Sequence, residues 1–234
     1  LANYHLLYER YAKQLMIKNG FSSDTLYIIF NSLDYDTHKS LRKKFQRISK
    51  EEIFNFFKNP MLPVLIFIGR LTNEKKISLL LTVVEEFNRH EEKANLIIIG
   101  DGQEKENLLQ QGKNGLKNGW LHFAGAIYDE EITGKYLYCS DLCISPGNVG
   151  LTAIHSLSFG TPVCSHSNFY NQGPEIGSII ENYNGFLFEE NNLIDLKNKI
   201  SNWLEKNLDR NLIREQCYQL IDKYYNPSYQ LQVL

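Results

Sequence analysis

The chemistry available to this sequence begins with two cations and a glycine-rich turn. Arg70 follows the apolar run Val64–Ile68 through Gly69, and Lys75 stands five residues further on. The planar fork of an arginine and the point charge of a lysine together suit a diphosphate. Arg and Lys are ordinarily solvated surface residues, so it is position at the end of a buried strand that marks this pair. The second feature is the stretch SDLCISPGNVGLTAIHSLSFGTPVCSH, residues 140–166. Its pattern predicts a strand over Leu142–Ser145, a Pro-Gly-Asn turn, a helix from about Val149 to Phe159, a stop at Gly160 and a strand through Val163. Pro146, Gly147 and Gly150 let the backbone turn sharply, and Asn148 is expected to cap the helix. A helix start at the end of a parallel strand offers free N–H groups to an anion. The same unit also serves as a plain connection in many proteins, so the residues alone leave both readings open.

Other features carry less. Gly100-Asp101-Gly102 lacks full dinucleotide-binding spacing and reads as a tight turn. Gly125-Ala126-Ile127 ends another apolar run, where backbone groups could read a base edge or simply turn the chain. His155 falls on the helix after Val149, and Glu175 follows Pro174 at a helix start. Single histidines, His122 and His166 included, are more often packed than catalytic. His155 and His166 lack the spacing of a zinc helix, so no metal site is expected. Cys139, Cys143, Cys164 and Cys217 have no paired ligand spacing and read as buried, reduced thiols.

Composition narrows the class. Twenty-five basic against 27 acidic residues give a net charge of −2 over 234 residues, without the dense basic cluster of a nucleic-acid surface. No apolar run approaches the ~20 residues of a membrane span. The chain opens at Leu1, not Met, directly in an apolar periodic stretch, as a fragment of something longer would. Asn3 to Asn19 predicts a helix stopped by Gly20, Thr25 to Phe30 a strand, and the stretch to Phe57 two helical segments. From Pro63 strands and helices alternate: Val64–Ile68, Asn95–Ile99, Leu121–Gly125, Leu142–Ser145, Thr161–Ser165 and Gly185–Phe188 are the expected strands. Helical runs over Leu193–Trp203 and Arg210–Tyr225 close the chain, the last ended by Pro227. The pattern is α/β: a Rossmann-like parallel sheet covered by helices on both faces, with flanking helices. Residues 1–60 form a mainly helical segment with one strand, and residues 61–234 the sheet domain.

Taken together and in order, GRLTNEKK, LIIIGDGQEKENL, LHFAGAIYDEEI, YLYCSDLCISP, GLTAIHSLSFGTPV and PEIGSIIENYNGFLF resemble the group 1 glycosyltransferases of family 4, in their C-terminal, nucleotide-sugar-binding half. The resemblance implies the C-terminal half of a two-domain GT-B fold. It implies retaining transfer of a sugar from a nucleoside-diphosphate sugar, without a metal or other cofactor, to a saccharide or lipid-linked acceptor held by an N-terminal domain absent from this chain. A role in bacterial surface polysaccharide synthesis follows as the family-level expectation, with a cytoplasmic location at or near the inner membrane face and no nucleic-acid partner. Residue by residue, it places the donor diphosphate on Arg70 and Lys75 beside Gly69 and the base at Ile127. Phosphate and sugar then fall at Gly147, Asn148, Val149, Gly150, Leu151 and Thr152, and the ribose at His155.

The chain departs from that pattern where the family usually carries two glutamates: Gly147 and His155 stand there. Lys76 occupies a common glycine position. These departures keep two rivals in view: a domain that binds a nucleotide sugar without transferring it, and a nucleotide-sugar 2-epimerase of the same fold.

Overall fold

The computed structural model describes residues 3–206 and 209–234. Its first elements are β1 (His5–Leu7), α1 (Arg10–Lys18) and β2 (Leu26–Ile28), with β1 and β2 paired in parallel as a small sheet of their own. The expected first helix is thus a strand followed by a shorter helix, and the first sixty residues hold two strands where the sequence predicts one. Glu9 makes the break: its backbone is extended and its carboxylate accepts from the Ala12 N–H, capping α1.

Two helices, α2 (Tyr35–Lys44) and α3 (Lys50–Ile53), lead into β3 (Val64–Ile68). The chain then runs through α4 (Ile77–Phe87), β4 (Asn95–Ile99), α5 (Lys105–Gln111), α6 (Lys113–Asn118) and β5 (Leu121–Gly125). It continues through α7 (Glu130–Cys139), β6 (Leu142–Ser145), α8 (Thr152–Ser158), β7 (Val163–His166) and β8 (Gly185–Phe188). The last helices are α9 (Leu193–Glu205), α10 (Arg210–Tyr224) and α11 (Pro227–Val233). Pro227 begins α11 instead of ending the chain's helices: it sits at the first helical position, where no N–H is needed, and the Asn226 side chain caps the start by accepting from the Tyr229 N–H.

Six strands form one wholly parallel sheet in the order β5-β4-β3-β6-β7-β8. The runs VLIFI and, after Asn95, LIII are apolar because helices cover both faces of the strands that carry them; in β4 every residue is buried, and the Asn95 side-chain amide donates to the Asn59 carbonyl. The chain builds outward from β3 to β5, then crosses back along α7 to lay β6 on the other side of β3. Strand order therefore reverses between β3 and β6, the place at which open α/β sheets take ligands. Arg70 and Lys75 follow β3; Gly147 to Leu151 follow β6.

The closing helices reach back to the start of the chain. Arg42 in α2 makes a two-pronged contact with Asp222 in α10, and Tyr229 and Gln230 of α11 donate to the Ile28 and Phe30 carbonyls. All four cysteines are free and buried. Burial pushes the Cys143 and Cys217 thiols up to about 12, so these behave as small apolar residues. Among the described residues no helix is long and apolar enough to cross a membrane.

Candidate functional site

The crevice between β3 and β6 is assembled by contacts running across it. The Lys75 ammonium donates to the Asn148 carbonyl, the Gly147 N–H to the Lys75 carbonyl, and the Thr152 hydroxyl to the Ile68 carbonyl at the end of β3. These ties set the two strand-end loops against one another, so the turn after β6 takes its shape from the loop that carries the cations. Arg70 is exposed at the mouth, and Lys75 is half-buried behind it. Burial, and after it the positive charge of Arg70, pushes the Lys75 ammonium below the ordinary lysine range. An incoming phosphate would offset the Arg70 repulsion and favour the charged ammonium.

The turn after β6 differs from the sequence expectation. Gly150 lies at φ +52°, a left-handed position that interrupts helical geometry, and α8 starts at Thr152, not Val149. Asn148 does not cap it; its amide donates to the Asn171 carbonyl. The Val149 N–H is taken by the Gln172 side chain at 2.9 Å, while the other end of that amide donates to Ser165 Oγ and the His166 carbonyl. Gln172 thus fills the floor of the turn. Nothing in the chain's local pattern marks it, because its partners lie on β7 and the turn after β6.

Gly147 owes its identity to contact, not to flexibility. A Cβ built there would collide with the Glu74 carbonyl oxygen and lie 2.8 Å from the Glu74 carbonyl carbon and the Lys75 Cα. The glycines of Gly100-Asp101-Gly102 do the same work on the other side of β3, where a Cβ on either would press into the backbone of Gly69 or Leu71. That motif is a tight loop-to-loop junction and its glycines are spent on packing, as the tight-turn reading has it.

Lys76 occupies a left-handed position, φ +51°, which explains why glycine would suit it. Its ammonium pairs with Glu190 at 2.6 Å, and Asn168 and Asn171 donate to the same carboxylate. The Lys76 ammonium first, with Asn168 next, holds the Glu190 carboxyl down at about 2. Its stabilising effect is complete above the unfolded value of 4.5 and is lost as pH falls toward 2. Glu190→Gln should therefore flatten the pH dependence of stability between those limits, read from denaturant midpoints across the acid range. Lys76→Ala should be less stable than Lys76→Gly, because both lose the pair but only glycine is relieved of the left-handed backbone.

A family model described as glycosyl transferases group 1 matches residues 49–220, well over half the chain. The chain belongs to the group 1 glycosyltransferases. Among similar proteins, an uncharacterized glycosyltransferase of Methanocaldococcus jannaschii is 24% identical across 96% of this chain and 55% of its own length. The alpha-monoglucosyldiacylglycerol synthase of Streptococcus pneumoniae is 33% identical over 45% of this chain and 24% of its own. Among solved structures, the Anabaena protein HepE in complex with UDP superposes with a TM-score of 0.73 at 18% identity, covering all of this chain and 63% of that one. A glycosyltransferase from Rickettsia africae gives 0.73 at 18% identity over 98% of this chain and 61% of that one. These similarities show the fold, the GT-B-like arrangement of a parallel sheet and helices. This group 1 glycosyltransferase chain spans about half the length of its archaeal relative.

Within this group 1 glycosyltransferase chain, the structure brings Gly69, Arg70, Lys75, Gly147, Asn148, Val149, Gly150, Leu151 and Thr152 to one crevice. Ile127 follows β5, and no hydrogen bond within the chain engages its amide or carbonyl among the described residues. His155 is placed differently. Its Nε2 meets the Glu130 carboxylate at 2.7 Å, and the His38 Nε2 meets the same oxygen at 2.8 Å. The two imidazoles stack with centroids 5.4 Å apart, and both rest against Phe159. Burial opposes ionisation of Glu130, but the hydrogen bonds from His155 and His38 outweigh it and hold the carboxyl at about 2. The His155 Nε2 is thus engaged within the chain, while no hydrogen bond within the chain engages its Nδ1 among the described residues.

Proposed function

We propose that this chain is the donor-binding part of a transferase that takes a sugar from a nucleoside diphosphate, with retention of anomeric configuration, and passes it to a saccharide or lipid-linked acceptor bound elsewhere in a longer protein. The observation that carries this reading is the convergence of Arg70, Lys75 and the turn 148–151 at the point where strand order reverses. An exposed arginine, a half-buried lysine and the backbone amides of Gly150 and Leu151 make a cradle with the charge to take a diphosphate. When the sugar–phosphate bond breaks, negative charge develops on the departing diphosphate, and fixed cations facing that charge lower the barrier. The Val149 amide joins the cradle once Gln172 turns aside. The Ile127 amide and carbonyl, unengaged among the described residues, are the groups that would read a base edge. Uracil nucleotides are the first to test, since HepE was solved in complex with UDP.

No metal takes part in this reading: the cations of the chain itself neutralise the diphosphate. Isothermal titration of this chain with nucleoside diphosphates should show one site, and its affinity should stay within about twofold after chelator treatment. Binding that disappeared with chelator and returned with magnesium would sink the metal-free cradle. A bacterial polysaccharide role at the inner membrane face belongs to the same proposal and is tested by identifying the acceptor of the full-length protein.

One observation favours the rival in which donor is bound but not transferred. Position 147 has no carboxylate to face the donor sugar, and no room for one. Release of nucleoside diphosphate by the full-length protein in the presence of acceptor separates the two readings, since the binding-only domain would show affinity without turnover.

A further inference from the structure

We propose that His38, Glu130 and His155 form a binding site for one divalent ion of the zinc class, which clips α2 onto α7 and α8. The three residues come from three helices and are far apart in sequence, yet their ligand atoms all lie within 4.8 Å of one another. Both Nε2 atoms point at a single oxygen of Glu130, at 2.8 and 2.7 Å. His38 is 3% exposed, His155 16% and Glu130 38%, so the rings form a buried wall and the carboxylate leaves one side open to water.

Two imidazole nitrogens and one carboxylate with an open fourth position make a zinc ligand set; magnesium and calcium call for oxygen donors instead. Zinc bonds of ~2.0 to 2.1 Å would space tetrahedral ligand atoms roughly 3.3 Å apart. Each histidine nitrogen would therefore move about half an ångström further from the carboxylate oxygen than its hydrogen-bonded distance of 2.7 to 2.8 Å. Neighbouring Glu131 is held by Lys44 and Lys135 and is not free to become a fourth ligand. The His38 Nδ1 is buried without a hydrogen-bond partner. In the metal-free chain the Glu130 carboxylate keeps the proton on Nε2, so a metal at Nε2 requires that proton to move to the unpartnered Nδ1. The same missing partner sets a limit: affinity should fall roughly 10- to 100-fold short of a site whose histidines are all braced.

The site shares α8 with the diphosphate cradle, His155 lying three residues beyond Thr152, but it does not rest on the donor reading. The experiment is a zinc titration of the chelator-treated chain against a chromophoric zinc indicator. One equivalent should bind, melting temperature should rise with free zinc, and cobalt in place of zinc should give the visible bands of a four-coordinate nitrogen and oxygen site without thiolate charge transfer. His38→Gln, Glu130→Gln and His155→Gln should each weaken binding at least about tenfold, while His122→Gln leaves it unchanged. Because the His38 variant could fail to fold, the wild-type titration and the cobalt spectrum decide alone. No zinc bound at about 100 µM free metal, far above the range of structural sites, overturns the proposal. So does a thiolate spectrum, or binding that survives all three substitutions. If chelation lowers the melting temperature but leaves nucleotide affinity intact, the clip acts independently of the cradle.

Discussion

Gly147→Ala should destabilise the protein by about 3 kcal/mol or more, at the upper end of what overpacking costs. The added carbon would strike the Glu74 carbonyl oxygen and crowd the Lys75 Cα at 2.8 Å. Relief would require the loop after β3 to part from the turn after β6. That parting breaks the hydrogen bond from the Gly147 N–H to the Lys75 carbonyl, 3.1 Å, and drags away the segment whose ammonium holds the Asn148 carbonyl. Gly147→Glu, which restores the residue the family usually carries, should be worse still and should not raise sugar transfer, because the backbone here has closed over the space a glutamate needs. Chemical denaturation of the alanine variant measures the first effect. A midpoint equal to wild type would mean that the two loops separate freely and that the glycine records no constraint.

How much of this was legible in the sequence depends on how local each cause is. VLIFI and NLIII could be read as strands because a short run buried on both faces is almost wholly apolar, Asn95 being the one polar residue among them. The positions of Arg70 and Lys75 followed directly, since strand ends fix where the next residues go. His5–Leu7 was misread as helix because its strand is decided by pairing with Leu26–Ile28, a partner that no local window contains. Residues Val149 to Leu151 were placed in α8 for a related reason. Their exclusion depends on the left-handed backbone of Gly150 and on Gln172, which takes the Val149 N–H from more than twenty residues away. The helix before Pro227 ends where the sequence predicts, but Pro227 also starts a further helix, of which the capping Asn226 beside it is the available sign. The meeting of His38 and His155 on Glu130 lay beyond any spacing rule, because three helices and two crossovers bring it about. A search along one helix for metal ligands cannot find a trio of that kind.

Arg70→Ala and Lys75→Ala should both weaken nucleoside diphosphate binding, each by ~1.5 to 3 kcal/mol for a lost charged hydrogen bond, with the lysine variant the worse of the two. The order follows from their surroundings. Arg70 is exposed, and its removal leaves the crevice otherwise as it is, so its melting temperature should match wild type. Lys75 is half-buried and ties the loop after β3 to the Asn148 carbonyl, so its loss removes a phosphate ligand and also loosens the turn that presents the Gly150 and Leu151 amides. Its melting temperature should fall alongside its affinity. Lys75→Met keeps most of the aliphatic stem and separates the two effects: stability should partly recover while affinity stays low if the ammonium meets the phosphate. Should affinity recover with stability, Lys75 only shapes the turn and Arg70 alone would carry the charge. Wild-type affinity in both alanine variants would remove the diphosphate from this crevice altogether.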